Sequence, residues 1–241
     1  MFKDLKIDKA SHTYTLNGKV LPSVSSKLGD FYKPFNPVVA KYVARRDGKT
    51  EAQVLKEWKT GNTIAINKGH RVHDFAENWA NGKLDYPRDD QEMGVIQWWL
   101  DKPDSWDLVQ AELMAYSKTY SYAGTMDLLF LNRETGKYVI ADWKTNKDLF
   151  KNYKKQKLLP PFQTWLDNPL NKYKIQLNYY QLCLEELGFE IERRVVVWLH
   201  PKKGKLYQEF EVTDLTKRLK RYEQTRRLSK PTSSKYKSYI G

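Results

Sequence analysis

Two short stretches of the chain place an acid two residues before a lysine: DWKT at residues 142–145 and EWKT at residues 57–60. At this spacing the acid can bind a divalent cation while the lysine ammonium stabilises negative charge on the same phosphate group. A pattern of two residues with one free position carries little information by itself. The residues around each copy therefore decide which of them carries chemistry.

The copy at 57–60 lies within a helical pattern. Val54, Leu55 and Trp58 repeat at helical spacing, and Glu57 and Lys59 fall on the side away from them. This pattern is typical of a helix whose apolar stripe is buried and whose charged side faces water. It predicts that EWKT is an exposed helix end.

The copy at 142–145 ends an apolar run, residues 138–141, that is typical of a buried strand. Alternate side chains of a strand share a face, so Asp142 and Lys144 point the same way while Trp143 packs on the opposite face. Asp127 lies on the preceding predicted strand, across a turn at residues 133–136. Clustered carboxylates need a cation to offset their charge, and oxygen ligands suit a hard divalent ion. The sequence therefore predicts a metal site at one end of a sheet.

Four motifs occur in an order that resembles the PD-(D/E)XK nuclease superfamily, in particular its RecB- and AddB-like branch with the phage and mitochondrial genome-maintenance exonucleases. They are Gly69-x-x-x-His73, GTMD at 124–127, Asp142-x-Lys144 and Gln176-x-x-x-Tyr180. The similarity covers most of residues 12–213. It implies an α/β, restriction-endonuclease-like core, in which a mixed central β-sheet is flanked by helices.

The resemblance also implies roles for individual residues. The metal ligands would be His73, Asp127, Asp142 and the backbone carbonyl of Trp143, and an imidazole beside carboxylates suits Mn²⁺ as well as Mg²⁺. The catalytic residues would be Asp127, Asp142, Lys144, Gln176 and Tyr180. Gln176 and Tyr180 lie four residues apart on one helix face, where they could reach nucleic acid or the lysine, although partial burial in the protein is the plain alternative.

Further residues are expected near the site or along the nucleic acid. Glu77 could orient the His73 imidazole, Glu112 could adjust the metal site or be a plain edge-strand glutamate, and Thr145 would lie behind the ligands. The insertion between Lys144 and Gln176 could supply phosphate contacts or be a surface feature. The expected nucleic-acid contacts are His70, Arg71, Lys147, Lys151, Lys154, Lys155 and Lys174.

Charge and composition favour a polyanionic partner. The chain carries 42 basic and 29 acidic side chains, for a net charge of +13. A single cysteine excludes an internal disulfide and a four-cysteine iron–sulfur cluster. No apolar run is long enough to span a membrane and no signal-peptide block is present at the N-terminus, so we expect an intracellular, cytoplasmic protein.

The organisation expected from these patterns is one nuclease domain over residues 1–228. Its helical N-terminal part covers about 35–100 and its catalytic sheet about 106–213, while residues 229–241 form a mobile basic tail. A hairpin is expected around Asn17-Gly18, and separate helical patterns cover EAQVLKEWK and NTIAINKGHRVHDFAENWA.

The function expected from these features is a Mg²⁺- or Mn²⁺-dependent DNA exonuclease that hydrolyses phosphodiester bonds, of the kind phages use in recombination or DNA processing. One alternative is a structure-specific endonuclease that acts on flaps or junctions. An alternative of another class is a non-catalytic DNA-binding protein that keeps the nuclease fold. Single- or double-stranded DNA is the expected partner, and a recombination or replication protein is a possible second one.

Overall fold

A five-stranded mixed sheet forms the centre of the structure, a computed structural model that describes residues 4–8, 11, 13–200 and 204–229. The strands stand in chain order across the sheet, and all neighbours are antiparallel except β6 and β7, which are parallel. The predicted α/β class with a mixed central sheet is thus confirmed. The strands are β4 (Trp106–Ser117), β5 (Tyr122–Asn132), β6 (Lys137–Lys144), β7 (Ile191–Leu199) and β8 (Tyr207–Glu211).

Helices cover both faces of this sheet, which explains why its central strands are apolar on both sides. Two parallel neighbours need a crossover connection, and helix α5 (Pro169–Glu185) makes it between β6 and β7. On the opposite face lie α3 (Glu51–Ala80) and α4 (Asp90–Asp101). Trp98 of α4 packs against Trp143 and Phe130 of the sheet. Helix α6 (Thr216–Ser229) packs against α5.

The N-terminal strands form a separate antiparallel sheet in the order β1 (Leu5–Asp8), β2 (Thr13–Leu16) and β3 (Lys19–Leu21). The predicted hairpin is confirmed: Asn17 and Gly18 have φ values of 49° and 76°, as the two central residues of a type I′ turn require. Helix α1 (Val24–Leu28) and a short 3₁₀ turn follow and lead to α2 (Val39–Asp47).

The expectation of a helix end at EWKT is wrong. Helix α3 runs through Thr60 and Gly61 without a break, so the two separate helical patterns belong to one helix of 30 residues. Of its predicted apolar stripe only Val54 is buried, at 1% exposure, while Leu55 and Trp58 are 41% and 37% exposed. Glu57 is exposed as expected and forms an ion pair with Lys49 at 2.8 Å.

Residues 230–241 of the tail expected at 229–241, together with residue 12 and residues 201–203, lie outside the described residues. Within the described part of the chain, no helix combines the length and the apolar character needed to cross a membrane.

Candidate metal centre

Three elements bring an imidazole and two carboxylates together at one end of the large sheet. His73 comes from α3, Glu112 from β4 and Asp127 from β5, and one ligand atom of each lies within 4.8 Å of the others. His73 Nδ1 is 3.4 Å from Asp127 Oδ1. Oxygen and imidazole donors in this number fit a divalent cation such as Mg²⁺ or Mn²⁺. His73, Glu112 and Asp127 can therefore hold a metal ion.

Glu112 has an unusual backbone conformation within its strand. Its φ of 48° is left-handed, and the β4–β5 register passes from Ala111–Leu128 to Leu113–Met126 without a pair at Glu112. A glutamate in this region of φ and ψ costs on the order of 1–3 kcal/mol, and such conformations concentrate at functional sites. Since these two pairs belong to one uninterrupted register, Glu112 stands opposite Asp127, and its carboxylate lies beside His73 and Asp127.

Asp142 and Lys144 lie next to this group on the same face of β6, as their spacing predicts. Their side chains form an ion pair, and the Lys144 ammonium lies 4.4 Å from the centre of the Tyr173 ring. Trp143 packs on the opposite face, edge-on to Trp98 at 4.8 Å. The alternation predicted for DWKT is therefore present.

The Trp143 backbone also takes part in the site. Its N–H donates a hydrogen bond of 2.7 Å to Asp127 Oδ2, which ties the end of β6 to β5. In an extended strand, the N–H and C=O of one residue point toward the same neighbouring strand. The Trp143 carbonyl therefore points to the side of the sheet on which Asp127 lies.

Crowded carboxyl groups shift one another's proton affinity. Burial, followed by the Asp127 charge, raises the pKa of Glu112 to about 8 and that of Asp142 to about 6. Burial opposes ionisation of Asp127 as well, but the charge and hydrogen bond of His73, the Lys144 charge and the Trp143 N–H together outweigh it and lower the Asp127 pKa. Asp127 is thus the acid of the group that stays ionised most readily.

The same acids raise the pKa of the two basic groups. Burial would lower the pKa of His73, but the charge and hydrogen bond of Asp127 outweigh it and raise this pKa. Burial likewise acts against the Lys144 ammonium, whereas Asp142 and Asp127 raise the pKa of Lys144 above its usual value. Lys144 is therefore a fixed positive charge and not a base near neutral pH.

Helix α5 adds two polar side chains on the Asp142 face of the sheet. Gln176 Nε2 donates to the Tyr180 hydroxyl at 2.9 Å, and both residues are buried. Burial, and then the charges of Asp142 and Asp127, raise the pKa of Tyr180 well above its usual value. Among the described residues, Gln176 Oε1 is a buried oxygen that accepts no hydrogen bond, while the buried Asp142 Oδ2 is paired with the Lys144 ammonium.

Two motif glycines are explained by close approaches. A Cβ at Gly69 would lie 3.3 Å from Thr145 Oγ1, so this glycine lets α3 approach the end of β6. A Cβ at Gly124 would lie 2.7 Å from the Tyr180 ring. Each glycine therefore brings two of the four motifs into contact.

The structure places the other expected site residues as follows. Glu77 is half-buried on α3, and its charge helps to raise the Glu112 pKa. The Thr145 carbonyl accepts a hydrogen bond of 3.2 Å from Gln91 Nε2. The Arg71 guanidinium pairs with two acids, Asp89 and Glu92, and His70 faces solvent. The insertion lysines are exposed, namely Lys147, Lys151, Lys154 and Lys155, while Lys174 is half-buried and lies over Trp165.

Sequence reasoning missed two residues that support the site, Tyr173 and Gln91. The Tyr173 ring faces Lys144, and its hydroxyl donates to Asn146 Oδ1 at 2.8 Å. Gln91 bridges the carbonyls of Thr145 and Leu199. Only Tyr173 left a usable signal, because it lies three residues before Gln176 and so shares that helix face.

The comparisons with known proteins do not assign this site to a family. No protein-family model and no curated protein matches the chain.

Proposed function

We propose that this protein is a Mg²⁺- or Mn²⁺-dependent deoxyribonuclease with a restriction-endonuclease-like core, and that it removes nucleotides from DNA ends. The observation that carries the proposal is the convergence of four motifs, distant in the chain, on one end of the sheet. The metal-capable group contains His73 and Asp127, and the Asp142–Lys144 pair and the Gln176–Tyr180 pair lie beside it. A protein that only bound DNA would gain nothing from clustered carboxylates, which repel phosphate.

The positions of the possible ligand atoms indicate which residues would hold the cation. His73, Glu112 and Asp127 already lie within ligand distance of one another, and Asp142 Oδ2 is a further buried oxygen on the same side. When bound there, a divalent cation would lower the pKa of a water molecule and offset the charge of the phosphate. Glu112 is thus proposed as a ligand in addition to the expected set.

Lys144 supplies the fixed positive charge that phosphoryl transfer needs. The acids beside it keep it protonated, and the Tyr173 ring and Asp142 limit where its ammonium can lie. A preorganised ammonium stabilises charge that develops on the phosphate oxygens without a cost of reorganisation. The hydrogen-bonded side chains of Gln176 and Tyr180 form a polar, buried surface next to it.

The test uses end-labelled linear single-stranded DNA and a covalently closed circle of the same sequence, each with Mg²⁺, Mn²⁺ or EDTA. The parent protein should degrade the linear DNA only, and only with metal. Lys144→Ala should slow this reaction by about a hundredfold or more, as loss of one preorganised charge contact does. Lys137→Ala is the matched control, because Lys137 lies exposed at the opposite end of the same strand and pairs only with Glu190 in the described structure.

Each other result has a definite meaning. Cutting of the circle would show that the protein is an endonuclease. DNA binding without cleavage under every metal condition would overturn the nuclease proposal in favour of a non-catalytic binding protein. Equal activity in Lys144→Ala and in the parent would place the chemistry elsewhere.

A further inference from the structure

The N-terminal half of α3 projects from the rest of the protein. Between residues 51 and 68 only Val54 is buried, and it packs with Ala40, Ala44 and Val43 of α2. These 18 residues extend about 27 Å at 1.5 Å per residue. Helix α2 and this half of α3, residues 38–68, form a structure that we call the arm.

The start of α3 is specified by local contacts and not by the protein core. Thr50 and Gln53 form a complete capping box, in which each side chain bonds to the other residue's backbone N–H. An ion pair between Lys49, just before the helix, and Glu57, in its second turn, adds to these contacts. These local contacts stabilise the helical conformation at the start of the exposed half of α3.

One face of the arm continues the face of α3 that carries His73. At about 100° per residue, Leu55, Asn62 and Ile66 lie within about 20° of the direction of His73. Lys59 and Trp58 flank this line on either side. Ile66 is seven residues, or about 10 Å, from His73, and Leu55 lies about 27 Å away. The uninterrupted helix α3 thus connects the metal-capable group to a row of exposed side chains, Leu55, Trp58 and Ile66, which we call the stripe.

The stripe is apolar although it is exposed. Leu55 is 41%, Trp58 37% and Ile66 47% accessible. Trp58 forms an edge-to-face pair at 5.8 Å with Phe35, which is itself 67% exposed. A single exposed leucine needs no explanation, but a row of large apolar side chains on a projecting helix indicates a binding surface.

We propose that this stripe binds single-stranded polynucleotide and leads it to the metal-capable group. The inference rests on the proposed nuclease function and specifies its substrate. Unpaired bases expose flat apolar faces that stack on aromatic and apolar side chains, whereas a duplex hides these faces and offers mainly phosphates. The stripe offers apolar contact to bases, and Lys59 at its side can reach the backbone.

The charge of the arm selects a polyanion over a second copy of the chain. Residues 38–68 contain seven basic and three acidic side chains. Two such arms would repel each other, while a nucleic-acid strand would neutralise both. A single strand offers both negative charge and apolar base faces, whereas a second copy of the arm would bring more positive charge.

The experiment measures binding by fluorescence anisotropy in EDTA, where no hydrolysis is needed. The probes are a labelled 20-nucleotide oligo(dT) and a labelled duplex of 20 base pairs. The variant is Leu55→Gln with Ile66→Gln, since glutamine keeps the helix propensity and removes the apolar surface. The matched control is Ile64→Gln. Ile64 is the same residue type in the same helix, is 63% exposed, and lies about 180° from His73.

The double variant should bind the single strand about tenfold more weakly, because two side chains lose their apolar contact with the bases. Duplex binding should change by less than about twofold, and Ile64→Gln should match the parent on both probes. Circular dichroism of each variant verifies that the helix is intact. Unchanged single-strand affinity in the double variant would overturn the proposal, as would an equal loss on the duplex.

Two further outcomes separate this proposal from others. If sedimentation shows that the parent is an oligomer and the double variant a monomer, a second copy covers the stripe and the proposal is wrong. If the parent binds the single strand through the stripe but hydrolyses no DNA with any metal, the nuclease function fails while the stripe assignment stands.

Discussion

At the scale of single residues, the Lys144 ammonium is held by two different kinds of contact. Asp142 attracts it as an ion, and the Tyr173 ring lies 4.4 Å below it as a cation–π partner. Tyr173 is itself fixed through its hydroxyl to Asn146, whose carbonyl accepts a hydrogen bond from Trp198 Nε1. Tyr173 is therefore a positioning residue for Lys144.

Removal of the Tyr173 ring should impair turnover more than substrate binding. Cation–π contacts are worth about 0.5–2 kcal/mol, so Tyr173→Leu should lower kcat about 3- to 30-fold with little change in KM. Tyr173→Phe keeps the ring and should retain most of kcat. Steady-state kinetics on a labelled oligonucleotide checks this, and equal losses in the Phe and Leu variants would show that the hydroxyl, not the ring, matters.

The raised pKa values of the site acids predict how stability depends on pH. Glu112 has its pKa raised to about 8 and Asp142 to about 6, so the folded protein binds more protons than the unfolded chain over this range. The free energy of unfolding of the metal-free protein should therefore fall as pH rises from about 5 to about 8. The raised pKa of His73 acts in the same direction, because its stabilising charge is lost as pH rises.

Urea unfolding in EDTA at pH 5, 6, 7 and 8 measures this slope. Glu112→Gln should flatten the fall above pH 6, and saturating Mn²⁺ should reverse it in the parent by binding the ionised acids. Glu134→Gln, an exposed acid in the turn between β5 and β6, serves as the control. A parent-like slope in Glu112→Gln would mean that Glu112 does not bind the extra proton.

At the scale of elements, the site depends on how closely helices approach the sheet. Helix α5 contacts β5 at Gly124, where a methyl group would lie 2.7 Å from the Tyr180 ring and 2.9 Å from Val24 Cγ2. Helix α3 approaches the end of β6 at Gly69. These contacts fix the distance of Tyr180 and His73 from the strand ends.

Two glycine substitutions should have opposite effects on stability. Gly124→Ala overpacks the α5–β5 contact and should destabilise the fold by about 1–3 kcal/mol. Gly61→Ala lies in the exposed part of α3, where a Cβ would meet no atom within 4 Å, and should stabilise it by about 0.5–1 kcal/mol through helix propensity. Chemical denaturation of both variants tests this pair. A neutral Gly124→Ala would show that Tyr180 can move aside without cost.

At the scale of the whole molecule, with its net charge of +13, the proposed binding of nucleic acid would involve two kinds of contact. Exposed lysines in the insertion between β6 and α5 offer salt-sensitive phosphate contacts. The stripe on the arm offers apolar contacts to bases, which depend little on salt. The two surfaces lie on different elements and can be separated by their salt dependence.

Replacement of Lys147 and Lys151 by Gln should reduce the salt dependence of single-strand binding. Each lost phosphate contact lowers the slope of log K against log salt by about 0.7. The Leu55→Gln, Ile66→Gln variant should instead lose affinity at every salt concentration with an unchanged slope. Anisotropy titrations at several NaCl concentrations measure both slopes. Equal slopes in the parent and the double lysine variant would exclude these lysines as phosphate contacts.

The sequence by itself determined the strands, the face shared by Asp142 and Lys144, and the Asn17-Gly18 turn. These follow from the two-residue period of a strand and from local turn chemistry, which neighbouring residues decide. The wrong prediction of a helix end at EWKT also has a local cause. Gly61 has a low helix propensity, and no short-range pattern shows that the helix continues across it.

Only the tertiary structure decided the membership of Glu112 in the metal-capable group, the place of Tyr173 under Lys144, and the exposure of the α3 stripe. Glu112 lies opposite Asp127 because of the β4–β5 register, and neither this register nor the left-handed φ of Glu112 can be read from the side-chain pattern. The stripe on α3 has the periodicity of a buried face, and yet Leu55, Trp58 and Ile66 stay 37–47% exposed, because the described contacts of the arm with the rest of the chain leave this face largely open. Periodicity shows which residues share a face, but the packing of distant elements decides what that face meets.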